Sequence, residues 1–367
     1  EERELELRVK IILEARGIEW SSKPPSALYD LEQLPFPIDE IPELFTTFRK
    51  QVEKRADVAE PLAAPESIPC AKALLNKAQS AGVPLESIAC ISGNPDASPK
   101  QSFTFRGGET AGLGRLTQYL WETDAVATYF DTRNGMLRDL DSTKFSPWLA
   151  NGCLSPRKVY AEVKQYERQR KKNKSTYWVF FELLWREYFR WIQQKHGASM
   201  FHVGGIRSAD ISWDDDADMF VAWRDGQTGF PIIDANMREI AATGWMSNRG
   251  RQNVASFLTK NLGQDWRIGA EWFESLLLDY DPTSNYGNWN YIAGVGNDAR
   301  EFRWFNPIRQ AENYDPKGDY VRHWCPELAD VPVHSVHQPW RLDDLDYPEP
   351  IVDLHESADS NRRRFDL

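Results

Sequence analysis

The sequence is short of several things at once. Its four cysteines, Cys70, Cys90, Cys153 and Cys325, stand far apart in 367 residues with no Cys-x-x-Cys spacing. That excludes a disulfide framework and a thiolate zinc site, and predicts free, reduced thiols. His334 and His337 form an HxxH without a third ligand nearby, so no metal is expected. No apolar run reaches the roughly 18 residues of a membrane span, and no charged, apolar, small-residue leader opens the chain. A soluble, intracellular protein with no membrane association is expected. Positive charge is outnumbered, 44 Lys and Arg against 55 Asp and Glu. The formal net charge of −11 argues against coating nucleic acid along the whole surface, but a local basic cleft is compatible with it, because recognition depends on where charge sits. Internal repeats and low-complexity tracts are missing.

Aromatic residues are abundant, with 15 tryptophans and 18 phenylalanines. The stretch Thr243 to Tyr291 gathers Trp245, Trp266, Trp272 and Trp289 with Arg249, Arg251 and an Asp-Tyr-Asp turn. Helical spacing puts Asn248, Arg251 and Gln252 on one face and sends Arg249 elsewhere. The segment DYDPTSNYGN (Asp279 to Asn288) reads as turn chemistry that ends one helix and lifts polar groups beside the next. Two readings stay open from the residues alone. The arginines pair with Asp279 and Asp281 as a structural ion network, or the cluster is satisfied by a polar ligand.

Taken in order, Glu1 to Ile18 reads as an amphipathic helix stopped by Gly17, with an apolar stripe that includes Leu5, Leu7 and Ile12. A short strand over Ile18 to Ser21 and proline-rich turns follow. Phe45 to Lys54 is a helix and Ala56 to Pro69 a linker. Ala71 to Ala81 is a further helix, Pro84 to Ser87 a turn and Gly93 to Ser102 a polar run. From Gly107 the periodicity is helical almost to the end, so the fold class is mostly α, preceded by the tail of an α/β domain. Ser142, Thr143 and Ser146 open a helix, either as ordinary caps or as an anion site. TYWVFFELLWREYFRWIQQKH (Thr176 to His196) is apolar nearly all round and reads as a buried helix carrying Glu182, Trp185 and Arg186. Trp213 ends a short SADISW strand or turn, and NRRRF (Asn361 to Phe365) reads as a frayed tail.

Four motifs, STKFSPWLANGCLSPR, FELLWREYFR, GWMSNRGRQNVASFL and DYDPTSNYGNWNY, stand gapless and in order. Together they resemble the flavin-binding helical domain of the photolyase and cryptochrome family, with the strongest resemblance to its DASH type, over roughly Ser26 to Ile351. The resemblance implies a division into residues 1–55, the end of an α/β antenna domain; 56–106, a linker; 107–351, the helical FAD-binding domain; and 352–367, a C-terminal tail. The earlier antenna strands would precede residue 1, whether the chain is a fragment or its lineage has lost them. A pterin antenna, methenyltetrahydrofolate, is possible in the family, but most of its platform is absent here.

The implied cofactor is FAD. Its pyrophosphate would lie on Ser142, Thr143, Lys144, Phe145 and Ser146, with Tyr129 beside it. Arg186, Trp245, Asn248, Arg251, Asp279, Asp281 and Asn285 would surround the ring, with the Asn285 amide facing N5. The implied substrate is UV-damaged DNA, single-stranded by preference, in which a flipped cyclobutane pyrimidine dimer meets Glu182, Trp185 and Asn248. Gln252 and Tyr291 stand where ordinary dimer photolyases carry methionine and tryptophan, and Asn248 and Gln252 replace the two histidines of (6-4) enzymes. Arg133, Arg249 and Arg303 are the candidate phosphate contacts. Trp289, Trp266 and Trp213 match a relay that carries electrons to the flavin. A monomer is expected, cytoplasmic or nucleoid-associated in a bacterium, organellar or nuclear in a eukaryote. A light receptor without repair activity is the alternative.

Overall fold

The computed structural model describes residues 2–21, 26–67, 69, 100–298 and 302–365. Fifteen α-helices carry the described chain: α1 (Glu2–Glu14), α2 (Phe45–Arg55), α3 (Glu109–Thr117), α4 (Tyr129–Thr132), α5 (Ser146–Ala150), α6 (Pro156–Gln169), α7 (Lys174–His196), α8 (Ala217–Arg224), α9 (Pro231–Thr243), α10 (Asn248–Ser256), α11 (Trp266–Leu276), α12 (Pro282–Ala293), α13 (Pro307–Tyr314), α14 (Asp319–Trp324) and α15 (Leu354–Arg362). Among the described residues the β-pairing is a single bridge between Asp214 and Gln264. The expected helix over Ala71 to Ala81, the turn after it, Cys70 and Cys90 lie outside the described residues.

Helix α7 is the axis of the fold. Asn173 caps it by accepting from the Thr176 N–H at 3.0 Å, and the Asn173 N–H in turn donates to the Thr176 hydroxyl oxygen, which satisfies two of the backbone donors a helix start leaves free. Its circumference is apolar enough to be covered by α2, α4, α6 and α12 together. Close approach of α12 needs Gly287, where a Cβ would lie 2.5 Å from the Phe189 ring. Two helices run on into single π turns, Gln118–Glu122 after α3 and Phe257–Asn261 after α10.

Several expectations are corrected. Ile18 to Ser21 is not a strand. Gly17 takes φ +70° and the Ile18 N–H returns to the Leu13 carbonyl at 3.0 Å, so the chain closes a glycine helix stop and no described strand lies alongside to pair with. Helix α1 ends at Glu14, and Leu5, Leu7, Ile11 and Ile12 are exposed rather than packed. DYDPTSNYGN is only half a turn. Asp281 accepts from the Ser284 N–H at 2.8 Å as an N-cap and Pro282 occupies the first helical position, where its missing N–H costs nothing, so Asn285 and Gly287 lie inside α12. Of the strand or turn expected at its position Trp213 takes neither, and it sits beside the isolated bridge. Asn361 to Phe365 is not frayed: it finishes α15 and packs on the body of the protein.

Candidate functional site

A cavity of about 460 Å³ opens where α7, α10, α11 and α12 meet the loop before α5. Tyr129, Ser142, Thr143, Lys144, Phe145, Ser146, Glu182, Trp185, Arg186, Trp245, Asn248, Arg251, Asp279, Asp281, Asn285 and Trp289 all line it, as do Arg133, Gln252, Tyr291 and Arg303. Arg249, Trp266 and Trp213 lie outside its wall.

The loop before α5 is shaped by a buried cation. Arg115 donates to the carbonyls of Thr143 (3.1 Å), Asp139 (3.1 Å) and Ser142 (3.2 Å) and pairs with the Asp139 carboxylate at 2.8 Å. Lys144 is held at φ +54° with its buried ammonium 4.1 Å from the Trp245 ring centroid. Burial draws its pKa down to about 8. No side chain caps α5, so the Ser/Thr capping alternative is not realised.

Ser247 caps α10 by accepting from the Gly250 N–H, and Arg251, one turn into that helix, lines the cavity. Arg251 Nη2 reaches both oxygens of Asp279 at 3.0 and 2.9 Å, and its Nε donates to the Met246 carbonyl. The two-arginine network is therefore half present, because Asp281 pairs with Arg190 at 3.2 Å and not with Arg249. Against the upward push of burial, the Thr283 hydroxyl and the Arg190 charge hold the Asp281 carboxyl below its ordinary value. Asn285, buried, donates from Nδ2 to the Ala270 carbonyl at 3.0 Å. That bond anchors the amide and leaves its Oδ1 without a protein donor.

Glu182 and Arg186 share a face of α7 but do not pair. Glu182 Oε1 accepts from Arg133 Nη1 at 2.8 Å and from Trp178 Nε1 at 3.0 Å, and burial pushes the carboxyl above its ordinary value. Arg186 donates to the carbonyls of Ser26 (2.8 Å) and Leu149 (3.1 Å), and burial lowers it to about 10. Trp185 stacks on Phe45, centroids 3.7 Å apart, and stands at 81° to the Tyr291 ring 5.6 Å away. The two rings make a right-angled wedge beside Glu182.

The candidate phosphate arginines are all engaged. Arg133 holds Glu182. Arg303 pairs with Asp298 and donates to the Tyr291 hydroxyl at 3.1 Å. Arg249 donates to Asn134 at 3.2 Å and lies 4.6 Å over the Tyr314 ring. Of the tryptophans, Trp289 is buried at the cavity wall, Trp266 is fully buried with Nε1 on the Val203 carbonyl at 2.9 Å, and Trp213 is half-buried. Reasoning from sequence missed Trp178, Phe45, Arg115 and Arg190. Trp178 was within reach, one turn before Glu182; Phe45 lies 140 residues from Trp185 and carries no local signal.

The residues present fit a large anionic cofactor. The cavity wall offers a buried lysine without a carboxylate in contact and three uncommitted hydroxyls, and with them the paired Arg251 and Asp279, the anchored Asn285 and, on Gln252, a buried Oε1 still free to accept from a ligand N–H. Residues 178–366 match the family described as FAD binding domain of DNA photolyase. The cryptochrome DASH of Gloeobacter violaceus is 54% identical over 343 residues, covering 90% of this chain and 67% of the relative. The chain belongs to the photolyase and cryptochrome family. Its fold superposes on a Synechocystis cryptochrome with a TM-score of 0.85 at 45% identity, over 98% of this chain and 76% of that one. A class III photolyase of Agrobacterium tumefaciens gives 0.79 at 30% identity, with the same coverage. As a photolyase and cryptochrome protein, the chain is a mostly helical FAD protein. No helix of the described residues is long and apolar enough to cross a membrane.

Proposed function

We propose that the protein repairs cyclobutane pyrimidine dimers in DNA, single strands by preference, driven by blue light. The observation that carries this reading is the wedge of Trp185 and Tyr291 with the Glu182 carboxylate anchored beside it at the cavity wall. Two perpendicular rings suit a pair of linked bases, one face packed against each, and base stacking of this kind contributes about 1–3 kcal/mol per base. Because both donors to Glu182 use Oε1, Oε2 is left to accept from a base N–H inside a site where an unmet polar group is costly.

FAD bound here would supply a light-absorbing one-electron donor and acceptor for splitting the dimer ring. Lys144 and the hydroxyls of Ser142, Thr143 and Ser146 would hold its pyrophosphate. Arg251 with Asp279, and Asp281, would hold the polar edge of its ring system, while Asn285 presents an amide that does not repel added negative charge as a carboxylate would. Tyr129, Trp245 and Asn248 would close the cavity against water. Trp289, Trp266 and Trp213 would carry electrons inward to reduce it.

The preference for single strands is supported by Gln252 and Tyr291 at the cavity wall and by the smaller cost of extruding a base that is not stacked in a duplex. A dimer-containing oligonucleotide, offered single-stranded and as duplex to dithionite-reduced protein under blue light, tests both claims. Absent repair in either form would favour the second reading, a light receptor using the same tryptophans. Equal rates on the two forms would remove the single-strand claim alone.

A further inference from the structure

The segment after Asp353 is built onto the π turn at Phe257–Asn261. The Asp353 carboxylate caps α15 by accepting from the N–H groups of His355 (3.0 Å) and Glu356 (2.8 Å). Asn361, buried, donates from Nδ2 to the carbonyls of Lys260 (3.2 Å) and Asn261 (2.9 Å). Asn261 answers with bonds to the Leu354 carbonyl (2.9 Å) and the Ser357 hydroxyl (3.0 Å). The chain then turns and lays Arg364 and Phe365 across the residues on either side of Trp213. Arg364 Nη1 donates to the Ser212 carbonyl at 3.1 Å, and its Nη2 pairs with Asp214 at 2.7 Å. Phe365 meets the Trp213 ring nearly edge-on, centroids 6.0 Å apart, and is itself held by Phe302 at 5.2 Å and by the Lys260 ammonium 3.6 Å from its centroid. Gly263 leaves the room: a Cβ there would lie 2.6 Å from Asp214 Oδ2 and 3.0 Å from Arg364 Nη1.

We infer that Arg364 and Phe365 form a clasp over Trp213 that governs how readily an external reductant reaches its indole. The inference rests on the proposed place of Trp213 as the outer member of the relay. When Trp213 gives one electron to Trp266, its indole is left one electron short. Recovery needs a small one-electron donor in contact with the ring, for instance a thiolate. The thiolate loses one electron to Trp213 and leaves as a thiyl radical, two of which couple to a disulfide, while the indole keeps its proton. The alternative, loss of that proton, is closed off because Trp213 Nε1 is buried without an acceptor. With the clasp shut the electron returns outward from Trp266 before a donor arrives. With it open, Trp213 is refilled from solution and reduction inside goes to completion.

Arg364→Ala and Phe365→Ala remove the two halves of the clasp while Asn361, the anchor, stays in place. In the dark, hydroxyl-radical footprinting read by mass spectrometry is expected to show Trp213 oxidised about threefold faster in Arg364→Ala, the scale set by loss of one exposed ion pair, and faster than in the wild type in Phe365→Ala, which loses the ring contact. Under blue light, the rate of flavin reduction is expected to rise more steeply with thiol concentration than in the wild type, and Trp213→Phe is expected to abolish that dependence. Wild-type footprints and wild-type thiol dependence in both clasp variants, with Trp213→Phe still impaired, overturn the clasp and leave the relay standing. Unimpaired photoreduction in Trp213→Phe overturns the relay assignment and the role of the clasp with it.

Discussion

Arg133 holds Glu182 by one oxygen only. Its Nη1 lies 2.8 Å from Oε1, and Trp178 donates to that same atom at 3.0 Å, so Oε2 carries no protein bond. Glu182→Ala is expected to slow dimer repair by about 10- to 100-fold, the loss of a hydrogen bond to a charged group at roughly 1.5–3 kcal/mol. FAD absorbance and light-driven flavin reduction should be unchanged. Repair at the wild-type rate in that variant would take Glu182 away from the substrate.

Asp279 is almost fully buried on its side chain while Arg251 keeps about a quarter of its own exposed, 2% against 26%. Asp279→Ala therefore leaves a mostly buried guanidinium unpaired, with an expected loss of about 3 kcal/mol, the lower end of the range for broken buried pairs. Urea denaturation measures the stability, and the visible absorbance of the bound flavin measures the cofactor. Full FAD occupancy after mutation would move the cofactor away from Asp279.

Trp266→Phe keeps most of the side-chain volume in a fully buried position and loses one bond, to the carbonyl of the exposed Val203. The expected packing cost is below about 1.5 kcal/mol, so the fold survives. Light-driven flavin reduction should slow sharply, because phenylalanine is far harder to oxidise. Protein reduced beforehand with dithionite should repair dimers at close to the normal rate. If Trp266→Phe and Glu182→Ala lose the same activity, catalysis and cofactor reduction are not separate paths.

The three arginines differ in what already neutralises them. Arg133 and Arg303 have carboxylate partners, whereas Arg249 has an amide and an aromatic ring. If they meet phosphates, Arg249→Ala should reduce the salt dependence of single-stranded DNA binding by about 0.7 in log–log slope, and the other two by less. A titration by fluorescence anisotropy at several salt concentrations reads this directly. An unchanged slope for Arg249→Ala places it off the strand.

Glu239 lies buried behind Lys144 with the Tyr320 hydroxyl donating to it at 2.7 Å. Burial pushes its carboxyl up to about 8, from an ordinary value near 4.5, against the pull of Tyr320, Lys144 and Arg251. The folded state thus keeps a proton that the unfolded chain releases. Its contribution is constant below pH 4.5, falls by up to about 1.4 kcal/mol per pH unit as pH rises toward 8, and is flat again above. Lys144, lowered to about 8, acts in the separate window above. Glu239→Gln should flatten the stability profile between pH 4.5 and 8, measured by denaturation midpoints. Parallel profiles for the two proteins would show that Glu239 is ionised in the fold.

Local chemistry was legible in the order of residues. The apolar circumference of α7, the shared face of Asn248, Arg251 and Gln252, and the stop at Gly17 each depend on neighbours within a few positions, where backbone geometry alone sets direction. The motifs carried the resemblance through which FAD was expected, and the residues they contain line one cavity. The exposed stripe of α1 and the missing strand at Ile18 to Ser21 mark the limit of periodicity, which reports what a segment can bury and not whether anything covers it. Partner choice belonged to the tertiary structure. Arg133 with Glu182, Asp281 with Arg190, Trp185 on Phe45 and Phe365 over Trp213 join residues 49 to 152 positions apart. A charge or a ring takes whichever partner the packing of helices brings within a few ångströms, and that distance is set by the whole fold rather than by either residue.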